Sequence, residues 1–165
     1  MKAGSCDLGH GNRPLHLKSL PTDPDLMDDW LRKRASGVWV QLMDGAPPVV
    51  FEGDQSAFET VGYLMVRGIV PPAQAAALYR AAARHSGVRT DEDAVDVLGR
   101  HGVGIVREDA KLPFRTEWIF DRTTHQMLGQ RATFTRDFGK YKKGTVFDDD
   151  AVVRRAVVDK AGLRP

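Results

Sequence analysis

Apolar residues recur at helical spacing through the first half of the chain and alternate through the second. In LPTDPDLMDDWLRKR, Leu26, Met27, Trp30 and Leu31 fall on one face of a helix expected near residues 24–35. Thr22 or Asp23 can cap it and Pro24 suits its first turn. Asp25, Asp28 and Asp29 favour its positive end, and Arg32, Lys33 and Arg34 its negative end. Phe58, Val61, Met65 and Ile69 mark a second helix, opened by Asp54 or Ser56 and ending around Gly68. Val70-Pro71-Pro72 is a sharp boundary, because a residue before proline avoids the helical region. Pro72 then starts the Ala-rich helix AQAAALYRAAARHSG, which ends at Gly87 with His85 in its last turn. Ala75, Tyr79, Ala82 and Ala83 are its expected buried stripe. Between the first two helices, Val38, Val40 and Leu42 alternate with Trp39, Gln41 and Met43. That suits a strand broken by Pro47 and Pro48; a loop packing Trp39 against the body is the other reading.

From residue 88 the period changes to 2. Val95 and Val97 mark a short strand, Gly99-Arg100-His101-Gly102 a hairpin loop, and Val103 and Ile105 its second arm. Phe114, Thr116, Trp118 and Phe120 alternate with Arg115, Glu117 and Ile119, which predicts a half-buried strand. DRTTHQ is a turn, Met127 to Thr135 returns as a strand, and residues 139–144 form a polar loop. A last strand runs from Val146 or Ala151 to Asp159. Successive strands on short turns imply an antiparallel meander. The expected fold class is therefore α+β: N-terminal helices on a curved, half-barrel-like antiparallel sheet of four or five strands. The Ala-rich helix should lie across its apolar face, marked by Phe114, Trp118 and Phe120. Residues 1–13 lack periodicity and read as a disordered tail, leaving 14–165 as a single domain.

Composition narrows the function classes. Of 165 residues, 42% are hydrophobic and 28% charged, so the chain has enough apolar surface to fold on its own core. Its 24 basic and 22 acidic residues are interspersed, which excludes the basic stripe of a nucleic-acid binder. Lys140, Lys142 and Lys143 around Tyr141 read as an exposed hairpin tip. Cys6 is the only cysteine and reads as an exposed free thiol in the tail, with no intramolecular disulfide. Residues 1–5 offer no apolar stretch for a signal peptide and no run of about 18 apolar residues occurs, so no membrane span and a cytoplasmic location are expected.

Four stretches together resemble a known family: LPTDP ahead of a helix, VPPAQAAALYRAAARHSGV, EWIFDRTTHQMLG, and AVVDKAGLRP. The likeness spans roughly residues 15–165 and is to the C-terminal half of an uncharacterised actinobacterial family often found beside extracytoplasmic-function sigma factor genes. The resemblance implies an outer domain built like the half-barrel of lipoprotein carriers and of periplasmic regulators of anti-sigma factors. It also implies binding of acyl chains, lipoproteins or a partner protein, and an extracytoplasmic location if the chain is a fragment. It carries no catalytic residues. The chain departs from the pattern in lacking a transmembrane helix and the strands expected before LPTDP, and in reading Thr123-Thr124-His125 where the family usually has a Gly. A sheet without its opening strands leaves an open edge, from which a homodimer is expected.

Candidate chemistry is sparse. His10 and His16 have no Cys or carboxylate at ligand spacing, so neither a metal nor another cofactor is expected. His85 gains from a helix C-terminus, whereas His101 and His125 fall in turns. Asp148-Asp149-Asp150 reads as a solvated turn, since consecutive side chains in a strand diverge. GRHGVG precedes a strand, so it is hairpin chemistry and not a phosphate cradle. What is left is a surface: Phe114, Trp118, Phe120 and Phe134 lining the concave sheet, Tyr79 facing them, and Arg115, Glu117 and Arg131 near the rim. If the helices cover that face fully, these aromatics are core; if partly, they line a pocket. The expected function is non-enzymatic binding of an apolar small molecule or a partner protein. The alternatives are a small enzyme of specialised metabolism using Glu117 or His85 as acid or base, and a structural interaction module.

Overall fold

A computed structural model describes residues 17–34 and 37–156, apart from the side chain of Val38. The tail reading, Cys6, His10, His16 and the expected end of the last strand at Asp159 lie outside the described residues.

Helix α1 (Pro24–Arg34) starts where Asp23 Oδ1 accepts hydrogen bonds from the backbone N–H of Asp25 (2.9 Å) and Leu26 (3.1 Å). It buries Met27 and Leu31. Strands β1 (Val38–Val40) and β2 (Val49–Phe51) form a separate antiparallel ribbon. Trp39 is 71% exposed, so the strand reading holds and the packed-loop reading does not. Helix α2 (Gly53–Arg67) has no side-chain cap; Asp54 instead turns its carboxylate to Arg32 and Ser86. Ile69 lies beyond α2 and is exposed.

Helix α3 (Pro72–Ala82) is shorter than expected. It closes through tighter bonds from Arg84 N–H to Ala81 O (3.1 Å) and His85 N–H to Ala82 O (3.0 Å). Its buried stripe is Ala77, Leu78, Ala81 and Ala82, so the expected stripe is corrected: Ala75 and Tyr79 are half-buried and Ala83 is exposed. The reason is its packing, which is against α1 and α2. The helix seated on the sheet is α2, not the Ala-rich one.

The main sheet is open and curved, with five antiparallel strands in sequence order: β3 (Val88–Val95), β4 (His101–Glu108), β5 (Phe114–Phe120), β6 (Met127–Phe134) and β7 (Val146–Ala151). Val97 falls past β3, and His101 and Gly102 belong to β4 and not to the loop. Asp96 organises that loop, its Oδ1 accepting from the N–H of Leu98 and Arg100, both at 2.9 Å. Asp148, Asp149 and Asp150 stand in β7, half-buried, which corrects the solvated-turn reading. Gln130 and Arg131 of the neighbouring strand donate to Asp148 and Asp149.

Three apolar clusters result among the described residues, one of them the small group Ala94, Ile119 and Leu128, and the other two shape the site. The larger joins Met27, Leu31, Phe58, Val61, Leu78 and Trp118 between the helices and one face of the sheet. The smaller gathers Val49, Phe51, Phe114, Phe134 and Phe147 where the β1–β2 ribbon meets the far end of the sheet. Strand β5 is buried on both faces, because Ile119 and Glu117 are also enclosed, so it is not the half-buried strand expected. Among the described residues no helix is long and apolar enough to cross a membrane.

Candidate functional site: an apolar cleft between α3 and the sheet

Since α2 takes the centre of the sheet, α3 covers the β3–β4–β5 side only in part. The remaining space is a cleft of about 600 Å³. Strand pairing aligns Thr90 with Ile105 and Ile105 with Trp118, so these side chains share one face. Val103, Ile105, Trp118 and Phe120 form the floor, and Tyr79 and Ala82 of α3, with Ala83 just past its end, the opposite wall. The rotated stripe of α3 is what turns Ala83 toward the opening. Small alanines there leave the space that larger side chains would fill. Tyr79 meets Phe120 edge to face, with ring centroids 5.2 Å apart and planes at 90°. Burial raises the pKa of the Tyr79 phenol, so its hydroxyl stays neutral.

The β5–β6 turn supplies the polar rim: Asp121, Arg122 and His125. Asp121 Oδ1 accepts from Thr123 N–H (2.9 Å), Thr124 N–H (2.7 Å) and the Thr124 hydroxyl (2.9 Å). The bonds from Thr124 hold its carboxyl below the usual range. Arg122 pairs with Glu92 at 3.3 Å. His125 has φ 56°, the left-handed region that disfavours a side chain. A second space of about 740 Å³ adjoins the cleft, sharing Tyr79, Asp121 and His125 with it.

The structure brings only part of the expected site together. Tyr79, Trp118 and Phe120 line the cleft, Trp118 while almost fully buried in the core. Phe114 and Phe134 do not; both are buried in the smaller cluster. Phe114 and Phe120 lie at opposite ends of β5 and thus about 20 Å apart, too far to line one small site. Arg115, Glu117 and Arg131 are also corrected. They alternate with the aromatics or pair across from residues that do, so they stand on the other face and not at the rim. Arg131 is bound there to Asp149 (3.0 Å). Burial raises the Glu117 carboxyl, against the pull of Arg115. His85 is enclosed near α1, its Nε2–H donating to Asp28 Oδ1 at 2.8 Å.

Two features were not foreseen. Val88, Thr90 and Ala83 complete the cleft; strand alternation was visible for Val103 and Ile105, but the register that places them beside Trp118 was not. A polar seam also runs under α2. Glu59 Oε1 accepts from Gln55 Nε2 (2.5 Å) and from the Thr116 hydroxyl (2.6 Å), while the buried Arg107 donates to Gln55 and Asp109. Burial pushes the Glu59 carboxyl up to about 7 against those two bonds, and the Asp148 carboxylate adds to the rise.

Among the described residues, no group of three or more His, Cys, Asp and Glu side chains is placed to hold a metal ion. Comparison of the chain with models of protein families, with curated proteins and with solved structures finds no match.

Proposed function

We propose that this chain is a non-enzymatic binding domain whose ligand is an apolar small molecule held between α3 and the sheet. The carrying observation is the cleft itself, about 600 Å³ and floored by Val103, Ile105, Trp118 and Phe120. Its size falls within the range of about 300–1,000 Å³ usual for small-molecule sites, which are mostly apolar with a few polar groups at one end. A concave slot of this kind suits a small molecule better than a protein surface. Neither acid–base candidate of the enzyme reading lines it: His85 is engaged with Asp28, and Glu117 is on the opposite face of the sheet. The resemblance to the sigma-factor-associated family, with its implied half-barrel binding domain, supports the same reading.

The test is titration with N-phenyl-1-naphthylamine, a neutral fluorophore that brightens in apolar surroundings. The native protein should bind it saturably. Ala83→Trp, at an exposed position on the cleft wall, should abolish binding while leaving the thermal midpoint unchanged. A probe that fails to bind, or binds Ala83→Trp equally well, sinks the reading.

A further inference from the structure

Past the β5–β6 turn the cleft adjoins the second space, which shares Tyr79, Asp121 and His125 with it and is more polar. Met65, Val70 and Met127 form its apolar side, and residues 152–155, which follow β7, form the other. This strap is fixed at two points. Val152 N–H donates to Leu128 O (2.6 Å), and Arg155 Nη2 donates to the carbonyls of Met65 and Val66 at the end of α2. A cation at a helix C-terminus is favoured there.

Three guanidinium groups border the space: Arg100, Arg154 and Arg155. Arg100 is committed, bonded to Asp96 (2.6 Å) and to the carbonyls of Leu128 (2.9 Å) and Val152 (3.1 Å). Arg154 and Arg155 have no carboxylate partner among the described residues. Arg155 is exposed as a residue, and the burial of part of its side chain against the end of α2 lowers its pKa. The carboxylate bordering both spaces, Asp121, already has Oδ1 filled by its own turn. A cation with no carboxylate partner gains most from an anionic ligand group, since charge-assisted hydrogen bonds are the strong ones. A neutral group leaves that gain unmade, and a cation is repelled.

We propose that the ligand is an amphipathic anion, its apolar body in the cleft and its charged end beside Arg154 and Arg155, passing between Tyr79 and His125. This rests on the binding function proposed above and adds the chemistry of the ligand.

The test compares two probes that share one skeleton. 8-Anilinonaphthalene-1-sulfonate carries a sulfonate that the neutral N-phenyl-1-naphthylamine lacks. The sulfonate should bind about tenfold more tightly, the equivalent of about 1.4 kcal/mol from one well-placed contact. Added salt should narrow that gap, Arg154→Gln should shrink it, and Arg154→Gln/Arg155→Gln should close it with binding of the neutral probe unchanged. Arg154→Gln breaks no hydrogen bond among the described residues, so it serves alone if the double variant does not fold. Ala83→Trp should exclude both probes. Equal affinities, a gap that survives loss of the arginines, or sulfonate binding that survives Ala83→Trp overturns this inference alone. Failure of both probes to bind overturns the binding function beneath it as well.

Discussion

The phenyl ring of Phe58 lies 3.7 Å from the indole of Trp118, with the two planes 11° from parallel, and this stack fixes α2 on the sheet. Both residues are almost fully buried. Gly62, one turn further along α2, makes the approach possible: a Cβ there would come within 2.5 Å of Trp118 Nε1 and 3.1 Å of Gln130 Oε1. Trp118 is both the centre of the core and the floor of the cleft, so the seating of α2 decides how much of the sheet α3 leaves uncovered.

Gly62→Ala is accordingly expected to destabilise the protein. An alanine gains about 1 kcal/mol in helix propensity, but overpacking against a clamped indole costs about 1–3 kcal/mol. Urea denaturation at neutral pH should show a lower midpoint. A midpoint that rises by the propensity gain shows that α2 does not sit this close. Phe58→Ala should cost more, about 3–5 kcal/mol, through the cavity left above Trp118.

Glu59 should make the fold more stable in mild acid than in base. Its carboxyl is raised from 4.5 to about 7, so between those values the folded protein holds a proton that the unfolded chain has released. Folding binds a proton there, and stability falls as pH rises through that window. The stabilisation is full below about pH 4.5 and gone above about 7, a change of up to about 3 kcal/mol. The groups facing Glu59 are Gln55 on α2, Arg107 on β4, Thr116 on β5 and Asp148 on β7. Glu59→Gln should flatten the dependence between pH 5 and 8 as measured by urea denaturation, given that an amide cannot ionise. The same slope in both proteins rules out Glu59 as its source.

Asp54 acts with the opposite sign. Burial alone would raise its carboxyl, but bonds from the Ser86 N–H and from Arg32 hold it at about 2, below the ordinary 3.8. Its contribution is present above pH 3.8 and lost as pH falls through about 2. The carboxylate ties three elements together, with Arg32 of α1 at 2.7 Å and Ser86 after α3 at 2.9 Å from its two oxygens. Asp54→Ala should therefore cost about 2 kcal/mol at pH 7. That difference should shrink as unfolding is followed down toward pH 2. A constant cost across this range contradicts the ionic role.

Much of the fold was legible because its signals are local. Asp23-Pro24 opening a helix, the Val70-Pro71-Pro72 boundary and the alternation through Phe114–Phe120 each act within a few residues. The site was less legible, because it depends on how elements meet. Periodicity gave Phe114 and Phe120 to one face, but said nothing of the ribbon and Phe147 that close over Phe114 and leave Phe120 at the cleft. Arg115 and Glu117 were misplaced to the rim although alternation alone puts them opposite Trp118. The seam at Glu59 had no sequence signal: an acid on a helix reads as exposed until the helix is known to lie on Thr116.

His125 offers the most direct link between the turn and the cleft. Its φ of 56° is costly for a residue with a Cβ, and it borders both the cleft and the second space. The turn around it is otherwise complete, with Asp121 accepting three bonds and His125 N–H donating to Asp121 O at 3.0 Å. A glycine adopts this conformation without strain. It adds flexibility to the unfolded chain, worth about 0.4–1 kcal/mol against it. The strain relieved is about 1–2 kcal/mol, so His125→Gly should stabilise the protein by about 0.5–1 kcal/mol. Strain that persists beside a cavity points to a use for the side chain. The same variant should thus weaken binding of 8-anilinonaphthalene-1-sulfonate, which passes His125, more than binding of the neutral probe held in the cleft. A variant that is more stable and binds both probes as before shows that the imidazole serves the turn alone.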